Sequence, residues 1–198
     1  MNDRERVRVK RERNFSAHHI FIGAARVAIE DAKAKKPGWF YSQLTAMVMC
    51  ALAVEALANA FGKRMLTDWE DFESSSPIAK LRLVCKELGL VFDEKKEPWA
   101  TIRWLSKFRN LVAHAKPELV TEDYISTRDE YEKDRMEMPK SKLEAQVTLG
   151  NAQRAYRGVD KVKELLSQKV PPDQSFGLYS DSCLGSVSIT HPTERSGR

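Results

Sequence analysis

Between Lys36 and Lys63 the sequence carries a single charged residue, Glu55. So long an apolar run must be kept from water, either in a protein interior or in a bilayer. A membrane span needs roughly 20 strongly apolar residues, and a carboxyl at mid-span is costly. This run is rich in Ala and also contains Ser42, Gln43, Thr45 and Asn59. It therefore reads as a buried central helix, about Trp39 to Met65, apolar on nearly all faces.

The rest of the chain supplies partners for such a helix. Among 198 residues Gly and Pro are few, and apolar residues recur at helical spacing without a strong run of alternating Val, Ile and Thr. That pattern predicts an all-α fold, a bundle of four to five core helices in one domain. A chain of this length can bury a sizeable core without staples. The predicted domain spans 15–170. Its first helix starts at Phe15, carries Ile22, Arg26 and Ile29, and stops at Lys35-Lys36-Pro37-Gly38. An acidic loop (Asp68, Glu70, Asp71, Glu73) follows the central helix. Ser76-Pro77 then reads as an N-cap with Pro at the first helical position, opening a third helix that runs to about Leu88 and ends at Gly89. Asp93 to Glu97 is a polar connector. Pro98 opens the fourth helix, which ends before Pro117. Residues 118–140 are charged and read as a wrapped loop or a short helix. Ser141-Lys142-Leu143-Glu144 fits a capping box and is expected to start the final helix, with Val147, Ala155, Val159, Val162 and Leu166 on its apolar face and Gly150 as a point of breakage.

Both ends lie outside this pattern. Residues 1–14 interleave Arg4, Arg6, Arg8, Lys10, Arg11 and Arg13 with Asp3, Glu5 and Glu12, and read as a basic arm or a helical extension. From Pro171-Pro172 the composition turns to Ser, Gly and Asp, so 171–198, with Cys183 and His191, is expected to be disordered.

Several functional classes fall away. Cys50, Cys85 and Cys183 form no C-x-x-C pair, which argues against a disulfide framework or zinc knuckle and fits a reducing, cytoplasmic setting. The start, MNDRERVRVKRERN, has no apolar h-region, so a secretory signal is not expected. The arm has interleaved acids and no apolar face, so no membrane partner is expected either. There is no H-x-x-x-H or E-x-x-H, and His18 and His19 are neighbours about 100° apart on a helix. Neither a metal nor a cofactor is expected. The 33 Lys and Arg against 28 Asp and Glu give a net charge of +5, a mild pull toward polyanions.

The fourth helix concentrates the chemistry. On a helical wheel Arg103, Lys107, Asn110 and His114 share one stripe, while Ile102, Leu105, Phe108, Val112 and Ala115 form the core-facing arc. Arg109 stands at the edge of that arc, where a guanidinium must find a partner. Glu55, the lone charge of the central helix, is the partner at hand. The two form either a structural buried ion pair or a pair that positions Arg109 at a functional cleft beside His114. Histidine, with an ordinary pKa of about 6.5, can act as acid or base; a lone helix-end histidine can also simply cap carbonyls.

The hexapeptide RNLVAH, residues 109–114, resembles the R-N-x-x-x-H form of the R-x(4–6)-H signature of the HEPN superfamily. The Ala-rich helix bearing Glu55 and Asn59, and a closing helix of the form TLGNAQRAYRGVDKVKELL, fit the same pattern, so the resemblance covers about 15–170. It implies a helical bundle that dimerises and brings two motifs to a shared cleft. Many members are metal-independent endoribonucleases, often toxins or host-defence effectors. Carried over by position, Arg109 and His114 are the catalytic pair, Asn110 their polar companion and Glu55 the acidic partner. His114 is followed by Ala115-Lys116, so the Tyr that a nucleotidyltransferase partner modifies in one toxin branch is missing. An antitoxin or inhibitor of another kind remains compatible.

Two functional readings follow. In the first, RNA is cut by its own 2′-OH, two histidines of a dimer share the proton transfers, and Arg109 stabilises the phosphorane charge. Arg103, Lys107 and Lys116 hold flanking phosphates, and the basic arm adds counterion release. In the second, the protein is a non-catalytic helical binding module in which Arg109–Glu55 is structural.

Overall fold

In the computed structural model, which describes residues 7–35, 37–135, 137–175, 177–178 and 182–189, the apolar run forms helix α2, Trp39–Met65. Its Ala46, Met47, Cys50, Ala53, Val54, Leu57, Ala58 and Phe61 are all buried. The helix is long and apolar enough to cross a membrane by length and composition, yet about half of its most apolar window is covered by the fold itself. The covering elements are α1 (Ala17–Lys33), α4 (Pro77–Glu87), α5 (Trp99–Ala113) and α7 (Leu149–Ser167), all of which pack on α2. Repeated alanines let backbones approach closely, and α1 follows α2 most extensively. Between α2 and α4 the acidic loop contains a single helical turn, α3 (Trp69–Phe72). Burial also pushes the Cys50 and Cys85 thiols up to about 12, which keeps them protonated and unreactive.

Local signals place the helix ends. Ser76 Oγ accepts the Ala79 N–H at 3.3 Å, and Pro77 occupies the first turn of α4. At the other end Gly89, at φ +65°, closes a Schellman motif: Leu90 N–H donates to Cys85 O at 2.7 Å and Gly89 N–H to Lys86 O at 3.2 Å. Within 118–140 a short helix, α6 (Arg128–Asp134), forms on a reciprocal Thr127–Glu130 capping box and buries nothing. Local hydrogen bonding alone therefore holds its first turn.

Three expectations require correction. The Ser141–Glu144 capping box is made, with Ser141 N–H donating to Glu144 Oε2 at 2.8 Å and Glu144 N–H to Ser141 Oγ at 3.2 Å. It opens only the 3₁₀ turn Glu144–Gln146. Val147 then leaves helical geometry and is buried in the core, and α7 starts afresh behind Thr148, whose Oγ1 accepts the Asn151 N–H at 3.1 Å. Gly150 sits in the first turn of α7 and does not break it.

The second correction concerns the arm. Of the two readings, the helical extension falls: the described part of the basic arm, Val7–Asn14, is strand β1, paired antiparallel with β2, Ser182–Ile189. The all-α reading holds: seven helices dominate the described residues, and the strands among them are confined to this two-stranded ribbon.

The third concerns 171–198, whose described part docks. Residues 172–174 form a 3₁₀ turn, and Leu178, only 2% exposed, belongs to the hydrophobic core. Ser16 Oγ donates to Gly177 O at 3.3 Å, and the ring of buried His18 lies with Nε2 3.2 Å from Leu178 O. The His18 and His19 rings also meet, tilted at 42° with centroids 3.9 Å apart, despite their angular offset along α1. Composition misled here because one leucine, not the average of the segment, supplies the anchor. His191 lies outside the described residues.

Leu178→Ala should therefore cost about 2–5 kcal/mol, the usual range for a buried leucine. Deleting 171–198 should lower the melting temperature at least as far. Calorimetry showing the truncated chain melting with the full chain would contradict the docked tail.

Candidate active site

The rotation of α5 is set by its apolar face. Ile102, Leu105 and Phe108 are buried in the core, and Thr101 presses against α7. A Cβ added at Gly158 of α7 would lie 2.6 Å from Thr101 Cγ2, so this close crossing requires glycine there. Val112 is partly buried, and Ala115 is exposed beyond the helix end. With that face fixed, Ser106, Arg109 and Asn110 turn toward α2 and the start of α4.

There they line an open cleft of about 320 Å³ with Ala51 and Glu55 from α2 and the run Ser74-Ser75-Ser76-Pro77. Arg109 Nη2 donates to Glu55 Oε2 at 3.4 Å, and Nη1 donates to Asn110 Oδ1 at 3.3 Å. The guanidinium has five N–H donors, so further donors remain for a ligand. The Glu55 and Arg109 side chains are 34% and 42% exposed. The pairing read from sequence is present, but it is not a buried core pair. Arg109 is long enough to leave the apolar arc and meet Glu55 at the cleft wall, where water reaches both.

His114 is the C-cap of α5. Its N–H donates to Asn110 O at 3.0 Å, and the residue is exposed. It stands one turn past Asn110, about 6 Å along the axis, and does not line the cleft. Glu55, Arg109 and Asn110 thus come together, while His114 stays outside the lining. Lys107 and Lys116 are exposed. Arg103 is engaged differently from the expectation: it pairs with Glu94, which also binds Arg82. One carboxylate between two guanidinia leaves that cluster net positive, but Arg103 is not a free phosphate ligand.

Two features escaped the sequence reading. The serines Ser74, Ser75 and Ser106 give the cleft a hydroxyl lining. For Ser74 and Ser75 the signal was the serine run that ends on the N-cap Ser76, legible only as a loop; Ser106, within α5, gave none. The other is Lys80, 2% exposed, whose Nζ donates to Asn59 Oδ1 at 2.8 Å and lies 5.6 Å from the centre of the Trp69 ring. It shares the apolar stripe of α4 with Leu81, Val84 and Cys85, and that placement was its signal. Asn59 is one helical turn from Glu55 on α2, but neither it nor Lys80 lines the cleft.

Fold and site define a mostly helical protein with an arginine–carboxylate cleft at the exposed end of a core-packed helix. The chain matches no family model, no curated protein and no solved structure. Among the described residues no group of three or more His, Cys, Asp or Glu is placed to hold a metal ion.

Because water reaches the Glu55–Arg109 pair, its loss should be cheap in stability. Glu55→Gln and Glu55→Ala should each change unfolding free energy by about 1 kcal/mol or less, not the roughly 3–5 kcal/mol of a broken buried pair. A loss above about 2 kcal/mol in urea denaturation would contradict the open cleft.

Proposed function

We propose that this protein is a metal-independent endoribonuclease of the HEPN type, acting as a homodimer in the cytoplasm as a toxin or defence effector. The observation that carries the reading is the convergence of Glu55, Arg109 and Asn110 on one open cleft, one helical turn from the exposed His114.

The chemistry follows from those side chains. The 2′-OH of one nucleotide attacks the adjacent phosphorus and loses its proton to a neutral imidazole. The P–O5′ bond breaks, and the leaving 5′-oxygen takes a proton from an imidazolium. One chain contributes one histidine at this end of α5, so two copies of His114 across a dimer supply the base and the acid. The dimer would bring the α2 and α5 ends of two protomers together. Arg109 stabilises the charge that develops on the phosphorane, and its planar fork suits two phosphate oxygens. Glu55 and Asn110 each hold one amino group of the fork and so set its direction. In this reading the exposed Lys107 and Lys116 hold flanking phosphates, and Arg103 joins them only by exchanging Glu94 for RNA. An inhibitor or antitoxin would act by covering this cleft.

One observation favours a second reading, a helical binding module without catalysis. Arg109 is already partnered by a carboxylate, and His114 lies outside the cleft lining. The modes differ in outcome. Under the nuclease reading the purified protein cuts RNA in EDTA, leaving a 2′,3′-cyclic phosphate and a 5′-OH, and 2′-O-methylation of the target nucleotide blocks the cut. His114→Ala should abolish cleavage with the fold intact. Arg109→Lys should fail as well, because a point charge does not reproduce the fork. Equal metal-free cleavage of total RNA and tRNA by wild type and His114→Ala would sink the nuclease reading. Light scattering that finds an active monomer at high concentration would remove the dimer.

A further inference from the structure

The strand Val7–Asn14 carries four cations, Arg8, Lys10, Arg11 and Arg13, against one carboxylate, Glu12, while its partner Ser182–Ile189 carries no charge. Every residue of β1 is exposed. Strand alternation puts Arg8, Lys10 and Glu12 on one face and Val7, Val9, Arg11 and Arg13 on the other, so both faces are cationic. Lys10 pairs with Glu12 at 2.6 Å; Arg8 and Arg11 have no ion pair among the described residues. Arg13 lies over the Phe15 ring, 5.2 Å from its centre, at the root of the ribbon.

That root lies farther along α2 than the cleft and shares no lining residue with it. Asn14, Phe15 and Ser16 wall a cavity of about 630 Å³ with Asn59, Lys63 and Arg64 of α2. Glu55, Asn59 and Lys63 follow one another at four-residue intervals, on one side of α2. Lys63 is about 12 Å along the axis from Glu55. A chain of phosphates leaving Arg109 along this stripe passes Lys63 and reaches the ribbon.

A lone two-stranded ribbon is marginally stable, and crowding like charges on it costs more. Self-pairing is a poor explanation, because basic residues on an exposed edge discourage strand addition by a second copy. A polyanion recovers the cost by neutralising both faces.

We propose that the β1–β2 ribbon is a docking arm for the RNA backbone beyond the cleft, an inference that rests on the ribonuclease reading above. The contact is to phosphates and so extends the bound length of RNA without selecting its sequence.

The test uses the full chain with His114→Ala, to prevent cleavage, and an oligouridine long enough to reach from cleft to ribbon. Binding is measured from about 50 to about 200 mM salt, where each neutralised phosphate on a single strand contributes roughly 0.7 to the log–log slope. Adding Arg8→Gln, Lys10→Gln and Arg11→Gln should reduce that slope by about 2 and weaken binding by about tenfold or more. A second chain with Arg8→Lys and Arg11→Lys should keep the slope, since it keeps the charge. An unchanged slope in the Gln chain overturns the ribbon proposal alone, as does an equal loss in the Lys chain, which would mean ribbon shape rather than charge. An arm for an acidic protein would also leave the RNA slope unmoved. If the parent chain binds no RNA, the ribonuclease reading falls and the ribbon proposal with it.

Discussion

Everything in this structure is arranged around the burial of one helix. α2 is apolar over nearly its whole circumference, and α1, α4, α5 and α7 are the elements that cover it. Covering it fixes their rotation. Once Ile102, Leu105 and Phe108 of α5 are turned inward, Arg109 and Asn110 have only the groove between α2 and α4 to enter. The same packing leaves Glu55, the single carboxylate of α2, facing that groove and not the interior. The cleft is thus a by-product of core formation, placed where the covering helices stop short of complete closure.

The electrostatics of the cleft follow from partial exposure. A fully buried Arg–Glu pair is rigid but costly to desolvate; a water-reached pair is weaker and can exchange partners. Arg109 is of the second kind, held in direction by Glu55 and Asn110 yet still able to meet an incoming anion. Lys80 shows the opposite solution: nearly buried, it is satisfied by an amide oxygen and an aromatic face. Arg103 shows a third, an exposed arginine sharing Glu94 with Arg82. These three cations of α4 and α5 therefore differ in availability for reasons of burial and partner, although all carry the same charge.

Interactions of long sequence separation join the described parts of the two ends to the body and to each other. Leu178 enters the core, Ser16 reaches Gly177, and β1 finds β2 across most of the chain. Such contacts leave little trace in local sequence pattern. The strand Val7–Asn14 does alternate Val with Arg and Lys over its first four residues, a faint signal drowned by its charge density. The segment after Pro171 reads as unstructured because Ser and Gly dominate its average, whereas the buried Leu178, the Ser16–Gly177 bond and the β1–β2 pairing hold its described part.

Helix content was legible from sequence because it depends on local rules. The bounds of α2, the Ser76-Pro77 start of α4, its Gly89 stop, and the apolar face of α5 all follow from periodicity and capping within a few residues. The partnership of Glu55 with Arg109 was legible too, because each was a charge out of place in its own helix. Tertiary structure alone decided how deep that pair lies, that Glu94 takes Arg103, that serines line the cleft, that Lys80 is buried, and that the termini pair as a ribbon. Each of these depends on which surfaces meet across long stretches of chain. Periodicity orients a residue on its own helix; it does not say how closely the neighbouring helix, loop or strand will cover it.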